Sequence, residues 1–249
     1  MGLRFISRSG GILILRKRAD AGHPNAMAML GMVLAGQGKK AEAQQWYRKA
    51  ADAGDASSMF NLGVELAEQG KEAEAEQWYR KAARKGHAKA MSNLGILLDE
   101  QGKKAEAEQW LRKAADKGRV TAMGSLGVLL ATQRKNAEAE QWLRKAADTG
   151  QVNAMFNLGI VLAKQRNKAE AEQWYRKAAR KGHAKAMSNL ATLLDEQGKK
   201  AEAERWYRKA ADAGRTSAMF NLGVLLREQG KDAEAGQWFR KAADAKPDR

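Results

Sequence analysis

From about residue 23 onward, apolar residues recur at helical spacing, pause at a short polar break carrying a glycine, and then resume on a second helical face. Within 55–86, Met59, Leu62, Gly63 and Leu66 mark one face; Ala73, Ala75, Trp78, Tyr79, Ala82 and Ala83 mark the other. Residues three and four apart share a face of a helix but not of a strand, so the pattern predicts two amphipathic helices. Gly70 and Gly86 fall just past their ends, where a left-handed residue closes a helix. Pro24 suits a first helical turn, where its missing N–H is not needed.

The pattern then repeats. All seven tryptophans, Trp46, Trp78, Trp110, Trp142, Trp174, Trp206 and Trp238, are spaced by 32 residues. Met27, Met59, Met91, Met123, Met155, Met187 and Met219 keep the same step, each with a leucine three residues on, followed by glycine or, at Ala191, alanine. A fixed period of this size marks a solenoid. The units are 23–54, 55–86, 87–118, 119–150, 151–182, 183–214 and 215–246, with 1–22 as an N-terminal segment and 247–249 as a tail. Ile14-Leu15-Arg16-Lys17 aligns with Trp46-Tyr47-Arg48-Lys49, so 10–22 reads as the second half of a truncated unit. Residues 84–112 and 180–208 are near copies, which points to duplication of a three-unit block.

Arg134 and Arg166 occupy places where other units have glycine. The neighbouring Asn136 and Asn167 are expected to reshape those two turns. The glycine after each leucine, in the company of the second helix's alanines, is expected to let two backbones approach.

The order Leu62-Gly63, Leu66, Ala75, Tyr79, Ala82 resembles the tetratricopeptide repeat. The period is two residues shorter than is usual there. With the Trp-Tyr-Arg-Lys-Ala-Ala-x-x-Gly ending and the Ala-Met start, it resembles the Sel-like (SLR) branch, over about residues 10–246. The resemblance implies an all-α, right-handed superhelix of about seven helix pairs that binds a protein or peptide in its concave groove.

Positions identical in every unit meet the same neighbours in every unit and are expected to be stacking positions; Trp46 and its equivalents belong here. Positions that vary are those a partner can see. After each methionine stand Ala28, Phe60, Ser92, Gly124, Phe156, Ser188 and Phe220, and four further on Met32, Val64, Ile96, Val128, Ile160, Thr192 and Val224. By the resemblance, both rows project into the groove. An apolar row facing water asks for a cover, and either a partner or the next unit's first helix can supply it. Asn61, Asn93, Asn157, Asn189 and Asn221 stand between the rows. An amide both donates and accepts, so this ladder can hold a peptide backbone or bond to a neighbouring helix. In the family a matching asparagine can help clamp a carboxylate, and Lys89 and Lys185 are the nearest basic candidates. With Asp99-Glu100 and Asp195-Glu196 closing the same helices, the lining has mixed charge.

Composition narrows the function. The 45 basic and 29 acidic residues give +16, which raises nucleic acid or an anionic surface as a partner. The excess is local: five basic against one acidic residue in 1–22, and seven against two in 151–182. Glu76–Arg80, Glu108–Arg112, Glu140–Arg144, Glu172–Arg176 and Glu204–Arg208 are helical pairs four apart, each worth about 0.2–0.5 kcal/mol. Nucleic acid is therefore the lesser expectation. With 0 cysteines there is no disulfide or thiolate chemistry. His87 and His183 occupy the same place in two copied units, too far apart to share a metal. The sequence thus predicts no cofactor, no metal and no catalysis. The stretch Gly10–Leu15 is too short to span a membrane, and a cytoplasmic protein is expected. Trp238 and Phe239 in the last unit, and the Gly11–Leu15 strip, are candidate surfaces for homodimerisation.

Overall fold

The computed structural model describes residues 8–246. Among these residues every regular element is an α-helix, and each helix is 13 residues long. Contacts divide the chain into two units, 1–122 and 123–249. The first unit holds α1 (Arg8–Asp20), α2 (Pro24–Gly36), α3 (Lys40–Asp52), α4 (Ala56–Glu68), α5 (Glu72–Arg84), α6 (Ala88–Glu100) and α7 (Lys104–Asp116). The division falls inside α8 (Val120–Thr132). The second unit continues with α9 (Asn136–Asp148), α10 (Val152–Lys164), α11 (Lys168–Arg180), α12 (Ala184–Glu196), α13 (Lys200–Asp212), α14 (Thr216–Glu228) and α15 (Asp232–Asp244). Within each unit helices pack in chain order, α1 on α2 through α6 on α7, and α9 on α10 through α14 on α15. Even-numbered helices are called A helices below and odd-numbered ones B helices.

The three-residue turns are built alike. Gly70 has φ +74°; its N–H donates to the Ala67 carbonyl at 2.9 Å, and the Lys71 N–H donates to Leu66 at 2.9 Å. This bond pair satisfies carbonyls that the end of α4 leaves open. Arg134 and Arg166 adopt the same left-handed conformation, at φ 63° and 65°. The turns are therefore not reshaped, contrary to the expectation for Asn136 and Asn167. Asn136 begins α9, and Asn167 caps α11, its Oδ1 accepting from the Glu170 N–H at 3.4 Å. The two arginines hold a conformation that costs an L residue about 1–2 kcal/mol.

The core runs between A and B helices. Leu62, Leu66, Leu94 and Leu98 are fully buried, each contributing about 1.5–3 kcal/mol. The glycine after each leucine makes room for a side chain of the following B helix and also lets the backbones approach, a Cβ there lying 3.4 Å from the Ala75 carbonyl oxygen at Gly63 and 3.1 Å from that of Ala139 at Gly127. A Cβ on Gly63 would lie 2.7 Å from the Tyr79 ring, and one on Gly95 would lie 2.6 Å from Leu111 Cγ. Trp46, Trp78 and Trp174 are buried as stacking positions, while Trp110, Trp142, Trp206 and Trp238 are half-buried. Each indole lies under the ammonium of the lysine three residues on, at 3.7 to 4.6 Å from Nζ to the ring centre.

Candidate interaction surface

In the first unit, α4 carries Phe60, Asn61 and Val64, and α6 carries Lys89, Asn93 and Ile96. The Phe60 ring is half-buried. It stacks on the His87 imidazole at 4.9 Å and tilts against Tyr79 at 6.1 Å. His87 belongs to the turn before α6, and its Nδ1 accepts from the Ala90 N–H at 3.2 Å. The imidazole thus caps a helix and roofs a phenyl ring at once. Asn93 is half-buried and points its Nδ2 at the Tyr79 hydroxyl, 3.5 Å away, so this amide is shared with the neighbouring helix. Asn61, Val64 and Ile96 are half-buried, and Lys89 is exposed.

The second unit repeats the arrangement. Phe156 on α10 stacks on His183 at 4.5 Å and tilts against Tyr175 at 6.2 Å. The His183 Nδ1 accepts from the Ala186 N–H at 3.1 Å. Burial pushes the Tyr175 and Tyr207 hydroxyls up, and the Tyr207 hydroxyl donates to Thr192 Oγ1 at 3.1 Å. Asn157 and Ile160 are half-buried, as are Asn189 and Val224; Val128 and Lys185 are exposed. Phe220 is 55% exposed and faces Phe239 at 5.5 Å. With Asn221, Ala242 and Ala243 these rings line an open recess of about 710 Å3.

The row after the methionines does not face water uniformly. Ser92 and Ser188 are buried, and Gly124 lies under the Gln151 amide, whose Oε1 would stand 2.6 Å from a Cβ there. The reason is steric: residues at the start of the next A helix lie over this row, His87 on Phe60, His183 on Phe156, Gln151 on Gly124, and Thr121 beside Ser92. Phe60 and Phe156 are matched by His87 and His183, and Gly124 by Gln151, a reciprocity visible in the sequence only once the two positions are known to touch.

Another feature escaped sequence reading. Arg80 reaches both Glu76, four residues back, and Glu106 on the next B helix. Arg16–Glu42, Arg144–Glu170, Arg176–Glu202 and Arg208–Glu234 repeat the inter-helix half of this link. The constant separation of 26 residues was the available signal.

One tetratricopeptide repeat model matches residues 29–87, 150–185 and 189–249, and a second matches 87–121 and 119–151. The chain belongs to the tetratricopeptide repeat family. Among solved structures it is similar to c5321, a protective antigen present in uropathogenic Escherichia coli strains and displaying an SLR fold. The two share 30% identity with a TM-score of 0.81, over 94% of this chain and 56% of that one. The chain thus spans little more than half the length of that protein. A Sel1 repeat protein from Oxalobacter formigenes is 27% identical with a TM-score of 0.71, over 89% of this chain and 99% of that one. YrrB, a tetratricopeptide protein with an unusual peptide-binding site, shares the fold at 23% identity and a TM-score of 0.54, over 69% of this chain and 93% of that one. Among curated proteins none matches. These tetratricopeptide repeats are therefore of the Sel1-like kind, an all-α solenoid of helix pairs, a fold typical of protein-interaction scaffolds. No helix among the described residues is long and apolar enough to cross a membrane.

Proposed function

We propose that this chain is a non-enzymatic scaffold that binds a protein or peptide segment against its A helices. The observation that carries the reading is Phe220, a phenyl ring left 55% exposed beside Phe239 in an apolar recess. Leaving such a surface in water is unfavourable, and a partner that covers it recovers that cost. Half-exposed amides and aliphatic side chains on the neighbouring A helices supply the polar and apolar contacts that a peptide needs. The tetratricopeptide fold supports a protein or peptide partner rather than a small substrate.

The test replaces Phe60, Phe156 and Phe220 by serine and compares proteins captured from cell extract, with circular dichroism as the control for folding. Loss of specific captured proteins with an unchanged helical spectrum is the expected result. Identical capture by both forms overturns the reading. The same recess supports self-association as a second reading, which a monomeric mass by light scattering across a concentration series excludes.

A further inference from the structure

Within the second unit, four turns join an A helix to the following B helix, and they are of two kinds. Turns 197–199 and 229–231 carry Gly198 and Gly230 at φ 76° and 75°. They follow helices ending in Glu196 and Glu228, whose carboxylates bind Lys168 at 2.6 Å and Lys200 at 2.7 Å. Turns 133–135 and 165–167 instead hold Arg134 and Arg166 in the left-handed conformation. The helices before them end in Thr132 and Lys164, with no acid at that place.

Two departures thus coincide in consecutive repeats. Each turn accepts a strained arginine where glycine would be unstrained, and each gives up the local carboxylate. Both turns keep the capping bonds of the glycine turns, Arg134 N–H to the Ala131 carbonyl at 3.1 Å and Arg166 N–H to the Ala163 carbonyl at 3.0 Å, and a residue held at such a cost motivates a search for a role of its side chain. The Lys168–Glu196 and Lys200–Glu228 pairs show that the start of one B helix lies within reach of the end of the next A helix. By the same register, Lys164 stands beside the start of α9, next to the turn that bears Arg134. Arg134, Lys164 and Arg166 are exposed, and none forms an ion pair among the described residues. The nearby carboxylate of Glu170 is engaged by Arg144 and Asn167.

We infer that turns 133–135 and 165–167 form an anion-binding edge for a short acidic peptide segment of a protein partner. Guanidinium groups fit carboxylates two bonds at a time. A short segment fits better than a long polyanion, because Glu196 and Glu228 stand at the same place in the following repeats. No aromatic side chain in either turn offers a stacking surface for bases. This site is separate from the A-helix surface and does not depend on that surface binding anything.

The test measures anisotropy of a fluorescein-labelled oligoglutamate peptide with the full chain at low salt. Saturable binding is expected, and Arg134→Gly combined with Arg166→Gly is expected to weaken it by about tenfold or more. Because glycine is the residue the other turns use, the double variant keeps or raises the melting temperature, so weakened binding cannot be ascribed to unfolding. The triple serine variant at Phe60, Phe156 and Phe220 is expected to bind the peptide as before. Absence of saturation, equal affinity in the double arginine variant, loss in the triple serine variant, or tighter binding of a DNA duplex at the same salt each overturns the inference.

Discussion

Arg80 on α5 clasps the carboxylate of Glu106 on α7 through both of its Nη atoms, with Nη2 to Oε2 at 2.9 Å, across 26 residues of sequence. The hydrogen bonds from Arg80, with a smaller one from Trp110, hold the Glu106 carboxyl down at about 2, against burial acting the other way. A folded-state value below the ordinary 4.5 means that the link stabilises above about pH 4.5 and is lost as pH falls toward about 2. Glu106→Gln should cost about 0.2–1 kcal/mol at pH 7, the range of an exposed pair. Thermal melts of the two proteins should differ near neutrality and converge in acid. A gap that persists at the acid end would show that packing, not charge, does the work.

His87 and His183 supply a second pH response, of the same sign and in a higher window. Burial, helped by neighbouring cations, lowers both imidazoles below the ordinary 6.5. The folded state therefore prefers the neutral ring, whose Nδ1 is free to accept from Ala90 or Ala186. Stability present above about pH 6.5 declines as pH drops through the lowered folded value. His87→Asn with His183→Asn keeps a capping side chain but removes the titrating ring. Its chemical-denaturation midpoint should change less than that of the parent between neutral and mildly acidic pH.

Gly95 faces Leu111 so closely that an added methyl would lie 2.6 Å from Leu111 Cγ and 3.2 Å from the Ala107 carbonyl oxygen. Gly95→Ala should destabilise by about 1–3 kcal/mol through overpacking, less the roughly 1 kcal/mol that alanine returns inside a helix. Urea denaturation measures the balance. An increase in stability would mean that Leu111 and its helix yield to the added methyl at no cost.

Much of this fold was legible from spacing alone. Trp78 and Met59 recur at one interval because each stands in an equivalent place in its unit, and the turn glycines recur because each turn holds a left-handed residue. The candidate surface was less legible. Phe60, Ser92 and Gly124 differ from one another, and in the sequence alone such difference implies freedom to meet a partner. The structure shows that part of this variation answers His87 and Gln151, residues 27 positions on, so it records matching within the chain. Similarly, the four-residue spacing of Glu76 and Arg80 concealed the longer reach of Arg80 to Glu106, since nothing local announces which two B helices lie side by side. Arg134 and Arg166 stand out in the sequence as exceptions to glycine, but only the backbone angles show that the turn yields nothing to them.

Among the described residues every helix spans 13 residues and every turn between helices three, so A and B elements alternate with an even beat. Excising or inserting one whole pair leaves each surviving helix beside a neighbour of the kind it already had, whereas a change of half that length would force two helices of like kind together. Such an array can be lengthened or shortened by recombination between copies without any new junction having to be invented.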